Sequence, residues 1–233
     1  LGLFINGYCN ILRLAQEGDE RFGKEEDLKE VIDKLCTLLI KEISPGFSGA
    51  CWGYNFDWQA RRLFLFPAHT PTIVATAFCA EALFNASEVT GENRYKDVAF
   101  TSGQFILNDL NRTYFDDGFL FSYSPIKGND TVFNAALLGA KILSYCYHYS
   151  GDEHYRNTAK EVVTAVCNRQ QPDGSWVYGL LPIQTWVDSF HTGYNLTALE
   201  KYKQLCKDGN FNSSIEKGFN FYIKNFFLND GTP

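Results

Sequence analysis

One nine-residue pattern recurs along this chain at a near-constant interval. Gly91-Glu92-Asn93-Arg94-Tyr95-Lys96-Asp97-Val98-Ala99 returns 60 residues later as Gly151-Asp152-Glu153-His154-Tyr155-Arg156-Asn157-Thr158-Ala159. Both read Gly-acidic-x-x-Tyr-x-x-x-Ala, and a fainter copy stands at Gly18-Asp19-Glu20-Arg21-Phe22. A second landmark recurs with it: Asp117-Gly118-Phe119, Asp173-Gly174-Ser175-Trp176 and Asp230-Gly231, spaced 56 and 57. Self-similarity at such a period requires stacked supersecondary units, none of which can bury its apolar face alone.

Each unit reads as a helical hairpin. Ahead of the Gly-acidic turns stand 73–84 and 131–147, apolar on nearly every face and rich in small residues, as a helix buried all round must be. Beyond the turns the pattern becomes amphipathic. Tyr155, Ala159, Val162, Val163 and Val166 form one stripe, and Ile215, Phe219, Tyr222, Ile223 and Phe226 another, with polar residues opposite. Inner helices should therefore alternate with outer ones in an all-α fold. Gly7-Tyr8-Cys9-Asn10 is read as opening a helix in the manner of Gly193-Tyr194-Asn195, and 25–42 as a long outer helix. Four hairpins result, at about 1–43, 72–110, 131–169 and 190–227, within one domain covering 1–233. The loops between them, 44–71, 111–130 and 170–189, are longer than connection alone requires, which marks them as functional.

Composition narrows the choices. The chain is 45% hydrophobic over 233 residues, enough for a substantial core. Its net charge is −6 and no Lys/Arg cluster follows any helix, so no nucleic-acid partner is expected. No apolar run is long enough to span a bilayer, so no membrane partner is expected either. Seven scattered cysteines without CxxC or Cys/His spacing suggest buried thiols in a reducing, cytoplasmic compartment, with no metal and no cofactor. Five Asn-x-Ser/Thr sequons (Asn85, Asn111, Asn129, Asn195, Asn212) are read as chance, because Asn195 falls within an inner helix. There is no methionine, and the chain starts inside a helix and stops at an Asp-Gly turn; a longer polypeptide carrying further hairpins is expected.

The Gly-Asp-x-x-Tyr-x-x-x-Ala turn, followed by an Asp-Gly-x-(Phe/Trp) loop, resembles the six-hairpin glycosidase-like group of (α/α) toroids. The resemblance covers nearly the whole chain at the level of repeat architecture. It implies a ring of inner helices within a ring of outer ones, and a carbohydrate ligand at one end. Members of the group and related toroids include glycoside hydrolases, unsaturated-uronate hydrolases, sugar 2-epimerases, uronate lyases and C5-epimerases. No catalytic signature of a single member family is present, so no active-site residue transfers. Gln170-Gln171-Pro172-Asp173-Gly174-Ser175-Trp176 also fits the Gln-x-x-x-Gly-x-Trp repeat of terpene cyclases. One copy without an Asp-rich site is better explained as a tightened turn.

Candidate site residues lie ahead of the inner helices. In the first loop, Trp52, Tyr54, Asn55, Asp57, Trp58, Gln59 and Arg61, with His69 further on, combine aromatic faces with planar polar groups. Such a set suits a pyranose, whose C–H faces stack on rings while its hydroxyls take forked hydrogen bonds. Asp57 is then an acid, a base or a hydroxyl ligand; alternatively it caps a turn. In the third loop Trp186, Asp188, His191 and Tyr194 gather where an inner helix begins. Asp188 is a catalytic carboxylate or simply the helix N-cap. His191 is a proton-transfer group of the first turn. His69 and His191, 122 residues apart, look like equivalent positions two repeats apart. The second loop offers Tyr123 and Lys127 for an anionic substrate, Asp117-Gly118 as a turn, Asp130 as N-cap of a helix from Thr131, and Asn134 as a cavity-lining residue.

These residues support an enzyme acting on an acidic, uronate-type oligosaccharide. Hydrolysis would use a carboxylate pair, Asp57 and Asp188. Lyase or epimerase chemistry would use a His or Tyr base with Arg61 or Lys127 neutralising the sugar carboxylate. The alternatives are a non-catalytic carbohydrate-binding or polysaccharide-biosynthesis accessory protein and, behind it, an isoprenoid-type cyclase.

Overall fold

The computed structural model describes residues 1–60 and 64–233. Eight helices dominate: α1 (Gly2–Gln16), α2 (Glu25–Lys41), α3 (Ile73–Thr90), α4 (Asn93–Asn108), α5 (Phe133–Ser150), α6 (Glu153–Cys167), α7 (Ser189–Cys206) and α8 (Asn212–Phe226). α1 packs on α2, α3 on α4, α5 on α6 and α7 on α8, and the fold class is all-α. Two features were not expected. Short antiparallel ribbons stand in the loops, β1 (Trp58–Ala60) with β2 (Phe64–Phe66) and β3 (Arg112–Phe115) with β4 (Gly118–Phe121). The chain also divides into two compact units, 1–109 and 110–233.

In the first unit α1 lies along α3, with α2 and α4 packed behind them. Ile5, Cys9, Leu12, Ile32, Cys36, Ala77, Leu83 and Phe84 form its core. Gly7 sits in the middle of α1, so the Gly7-Tyr8 stretch does not open a helix. The second unit repeats the layering: α5 lies along α7, α6 backs α5, and α8 backs α7. From Phe133 to Cys146 every residue of α5 is buried, Lys141 included. Its small and branched side chains permit that close packing on all faces. Among the described residues no helix is long and apolar enough to cross a membrane.

The repeat is explained by the helix ends. Whereas α1 ends at Glu17 with φ −85°, three inner helices stop at Gly91 (φ 81°), Gly151 (φ 71°) and Lys207 (φ 51°), all left-handed. That conformation costs an L-residue a clash at Cβ, so glycine is favoured and Lys207 is the exception. The same helices start after Thr72, Val132 and Asp188, so starts and stops alike are spaced 60 and then 56 residues. The helix expected from Thr131 with an Asp130 cap begins later, at Phe133. Thr131 and Val132 are drawn out as extended chain, because Leu180 N–H bonds Thr131 O and Val132 bridges Gly179.

Two of the three Asp-Gly landmarks are docking points for the outer helices, while a Cβ on Gly231 would meet nothing within 4 Å. A Cβ on Gly118 would come within 2.2 Å of the Glu161 carbonyl oxygen on α6, and one on Gly174 within 2.4 Å of Lys217 O on α8. Gly49 makes the same approach to Thr101 O on α4, at 1.8 Å. Asp117 is a turn residue, as expected, paired at 3.1 Å with Arg169. Trp176 is buried and donates its indole N–H to Val166 O at 3.1 Å, so the Gln-x-x-x-Gly-x-Trp stretch is a tightened turn.

All seven cysteines are free. Burial pushes the thiol of Cys9 up to about 11 and those of Cys36, Cys51 and Cys167 up to about 12, which leaves them poor thiolates. Asn195 is buried within α7, which supports reading its sequon as chance.

Candidate functional site

In the second unit the loop between α6 and α7 folds back on itself. Tyr178 N–H donates to Trp186 O at 2.9 Å and Gly179 N–H to Gln184 O at 3.1 Å. A single 3-10 turn at Pro182–Gln184 makes the reversal. Gln184 is buried, and its Oε1 accepts from Thr131 Oγ1 at 2.9 Å and Leu181 N at 3.1 Å. This pairing brings Tyr178 and Trp186 into a stack, centroids 4.4 Å apart and planes within 16°. Tyr178 also meets the His191 ring edge-on at 4.6 Å.

Asp188 is both the N-cap of α7 and the partner of the histidine. Its Oδ1 accepts the His191 backbone N–H at 2.8 Å. Its Oδ2 lies 2.7 Å from His191 Nδ1 and accepts the Trp186 indole N–H at 3.0 Å. Burial works to raise this carboxyl, but the His191 amide and ring and the Trp186 indole outweigh it and hold it below the ordinary carboxylate range. An ionised carboxylate can only accept, so Nδ1 carries the proton and the lone pair of the neutral ring sits on Nε2. The two side chains are 28% and 34% exposed, open enough to reach a solute. Phe190, exposed, and Tyr194 pack edge-to-face 4.5 Å apart beside them. The His191 imidazole is thus held by Asp188 and flanked by the rings of Tyr178 and Phe190.

The repeat shows that this arrangement belongs to the third inner helix with an N-cap in register. Thr72, Val132 and Asp188 are equivalent N-caps, and the residues three further on are Ala75, Ala135 and His191. Thr72 makes the same capping bond, to Ala75 N at 3.1 Å, but without a ring to hold. The supposed equivalence of His69 and His191 is therefore wrong. His69 sits in the turn before α3 with φ 63°, tied by its backbone to Tyr54 O and Ser44 Oγ.

In the first unit the loop residues separate into core and surface. Trp52, expected on a sugar platform, is buried and gives its indole N–H to Leu39 O at 2.8 Å; it closes the core beneath the loop instead. Tyr54 stacks on Phe56 at 5.4 Å and meets Trp58 edge-on at 5.9 Å, and Trp58 stacks on Phe66 at 5.2 Å. Burial pushes the Tyr54 phenol up, so it stays a neutral hydroxyl. Asn55, Asp57 and Gln59 are exposed beside this ladder, with Asp57 Oδ1 accepting from Ala68 N at 2.8 Å. Asp57 thus makes a turn while remaining exposed. Arg61 lies outside the described residues.

The loop before α5 is organised by Asn129, which the sequence marks only as one of the five sequons. This buried side chain accepts from Ser124 N at 2.8 Å and donates to the Ile126 carbonyl. Tyr123 is half-buried with its N–H on Asn129 O, and Lys127 is exposed. Asn134 is buried in α5 rather than lining an open cavity, and among the described residues its Oδ1 has no hydrogen-bond partner.

No protein-family model matches the sequence, nor does any curated protein. Solved structures do. A glycoside hydrolase family 76 mannosidase from Bacteroides thetaiotaomicron superposes with TM-score 0.69 at 12% identity, over 97% of this chain and 60% of its own. A sugar epimerase from a ruminal bacterium gives 0.62 at 14%, over 96% and 61%. A glycosyl hydrolase family 88 protein from Bacteroides vulgatus gives 0.61 at 12%, over 99% and 63%. The chain spans about three fifths of the length of these structures. Its fold is accordingly the one these structures share, built from stacked α/α hairpins.

Proposed function

We propose that this protein acts on an acidic, uronate-type oligosaccharide, with His191 moving the proton. The observation that carries the reading is the Asp188–His191 pair, which leaves Nε2 as the base. Abstraction of the proton at C5, beside the sugar carboxylate, puts that proton on Nε2. The electron pair then forms the C4–C5 double bond as the C4–O bond breaks, the leaving oxygen taking a proton; return of a proton at C5 gives epimerisation instead. Two-carboxylate hydrolysis suits Asp188 less, because its two oxygens already accept three donors. Tyr178, Trp186, Phe190 and Tyr194 supply aromatic faces for sugar rings, and Lys127 is the cation proposed for the carboxylate. Its loop runs into Thr131 and Phe133, which bond to Leu180 and Tyr178 of the site. The Tyr54–Phe56–Trp58 ladder, with Asn55, Asp57, Gln59 and His69 near it in sequence, is proposed as a further sugar-binding surface. The fold it shares with hydrolases and epimerases of carbohydrates supports the substrate class.

The test is incubation with a panel of polyuronates in deuterated water. Ultraviolet absorbance reports a new C4–C5 double bond, and NMR reports deuterium at C5. Either signal, lost in His191→Asn, is expected. Wild-type signals that persist undiminished in His191→Asn would sink the assignment of the base. Binding without any turnover would instead favour an accessory, carbohydrate-binding role.

A further inference from the structure

Trp186 was expected to meet substrate, yet its polar atom is turned the other way, onto Asp188. Trp186 and three neighbouring side chains close a ring of contacts. Tyr178 stacks on Trp186, Trp186 donates to Asp188, Asp188 accepts from His191, and His191 returns to the Tyr178 ring. Trp186 is itself fixed at its backbone by the bond from Tyr178 N–H. A carboxylate rotates in a broad, shallow well about its last torsion, so one capping bond at Oδ1 leaves Oδ2 loosely aimed. A rigid indole on Oδ2 removes that freedom.

We propose that Trp186 is a positioning residue: its indole N–H clamps Asp188 Oδ2, and the clamped oxygen holds His191 with its proton on Nδ1 and its lone pair on Nε2. This deepens the preceding reading and rests on it for the role of His191, but the geometry is testable without any substrate. Unrestrained histidine favours the opposite tautomer, with the proton on Nε2. The Nδ1–H form in this protein therefore has to be imposed by Asp188, and how firmly depends on where Oδ2 points.

Long-range nitrogen–proton NMR on the intact protein reads the tautomer directly. Wild type is expected to show His191 chiefly as the Nδ1–H form. Trp186→Phe keeps a ring against Tyr178 but removes the N–H, and should shift the tautomer ratio toward Nε2–H by roughly two- to tenfold, the worth of one hydrogen bond. A folded Trp186→Phe protein with the wild-type ratio would overturn the proposal. A measurement on wild type alone guards against a variant that does not fold. On acidification the Trp186 indole proton resonance should move with the same midpoint as the Asp188 carboxyl carbon, and an indole resonance indifferent to that titration would overturn it equally. Should polyuronates prove not to be substrates, these readouts are untouched, so failure of the reaction and failure of the clamp are distinguishable.

Discussion

Asp188 holds His191 at both ends: one carboxylate oxygen takes the backbone N–H at 2.8 Å, and the other takes the ring nitrogen at 2.7 Å. A single side chain thus starts a helix and orients the group that the helix presents. Structural and chemical roles are coupled at this position, and substitutions should separate them.

Asp188→Ala removes the N-cap and should cost about 0.5–2 kcal/mol in denaturant unfolding, whereas Asp188→Asn keeps an acceptor and should cost less. The carboxyl titrates below its unfolded value of 3.8, so the stabilisation from its charge is complete above that value and lost as pH falls through the lower folded value. The stability difference between wild type and Asp188→Asn should therefore narrow below about pH 4. A difference unchanged from neutral to strongly acidic pH would show that the charge contributes nothing.

Gly174 and Gly91 both have positive φ, 94° and 81°, but only Gly174 faces a carbonyl within 2.4 Å of its would-be Cβ. Gly91→Ala should cost about 1–2 kcal/mol from backbone conformation alone. Gly174→Ala adds steric overlap and should cost at least about 3 kcal/mol. Equal losses in thermal unfolding would refute the docking role of Gly174.

Trp52→Phe should destabilise the first unit by about 1–3 kcal/mol, since Leu39 O loses its buried donor. Affinity for any oligosaccharide, measured by calorimetry, should not change. Weakened binding at full stability would return Trp52 to the sugar surface.

Asp57→Asn keeps an oxygen for Ala68 N, so its melting temperature should match wild type, while Asp57→Ala should lose about 0.5–1.5 kcal/mol. If Asp57 ligates a sugar hydroxyl, both variants should bind oligosaccharide more weakly by roughly ten- to a hundredfold, because a hydrogen bond to a charged group is worth roughly 1.5–3 kcal/mol. Unaltered affinity in Asp57→Asn would confine this residue to its turn.

How much of this was legible depended on the range of the interaction. Gly91 and Gly151 announced helix ends because a left-handed cap selects glycine locally. Lys207 does the same work without that signature, which hid the register, and the false match of His69 with His191 followed from counting without it. Asp188 and His191 were readable because three residues at a helix start lie within reach of one capping side chain. Tyr178 was not, since it reaches His191 only through the reversal at Pro182–Gln184 that Gln184 and Thr131 secure. Trp52 misled because an aromatic in a loop looks alike whether it faces water or the core.

The glycine contacts carry a consequence for how such a chain can vary. At the three seats where a loop meets an outer helix, the helix residue is Thr101, Glu161 or Lys217, a neutral hydroxyl, an acid and a base. These side chains differ in kind, yet the closest approach of each glycine is to the main-chain oxygen. A glycine seated on a main-chain oxygen does not read the side chain of the residue it meets. Such seating constrains one glycine per loop, and what the helix must keep is set by neighbouring contacts instead: Thr101 Oγ1 accepts from Ala50 N–H at 3.0 Å, and a Cβ on Gly218 of α8 would come within 2.4 Å of the Trp176 ring.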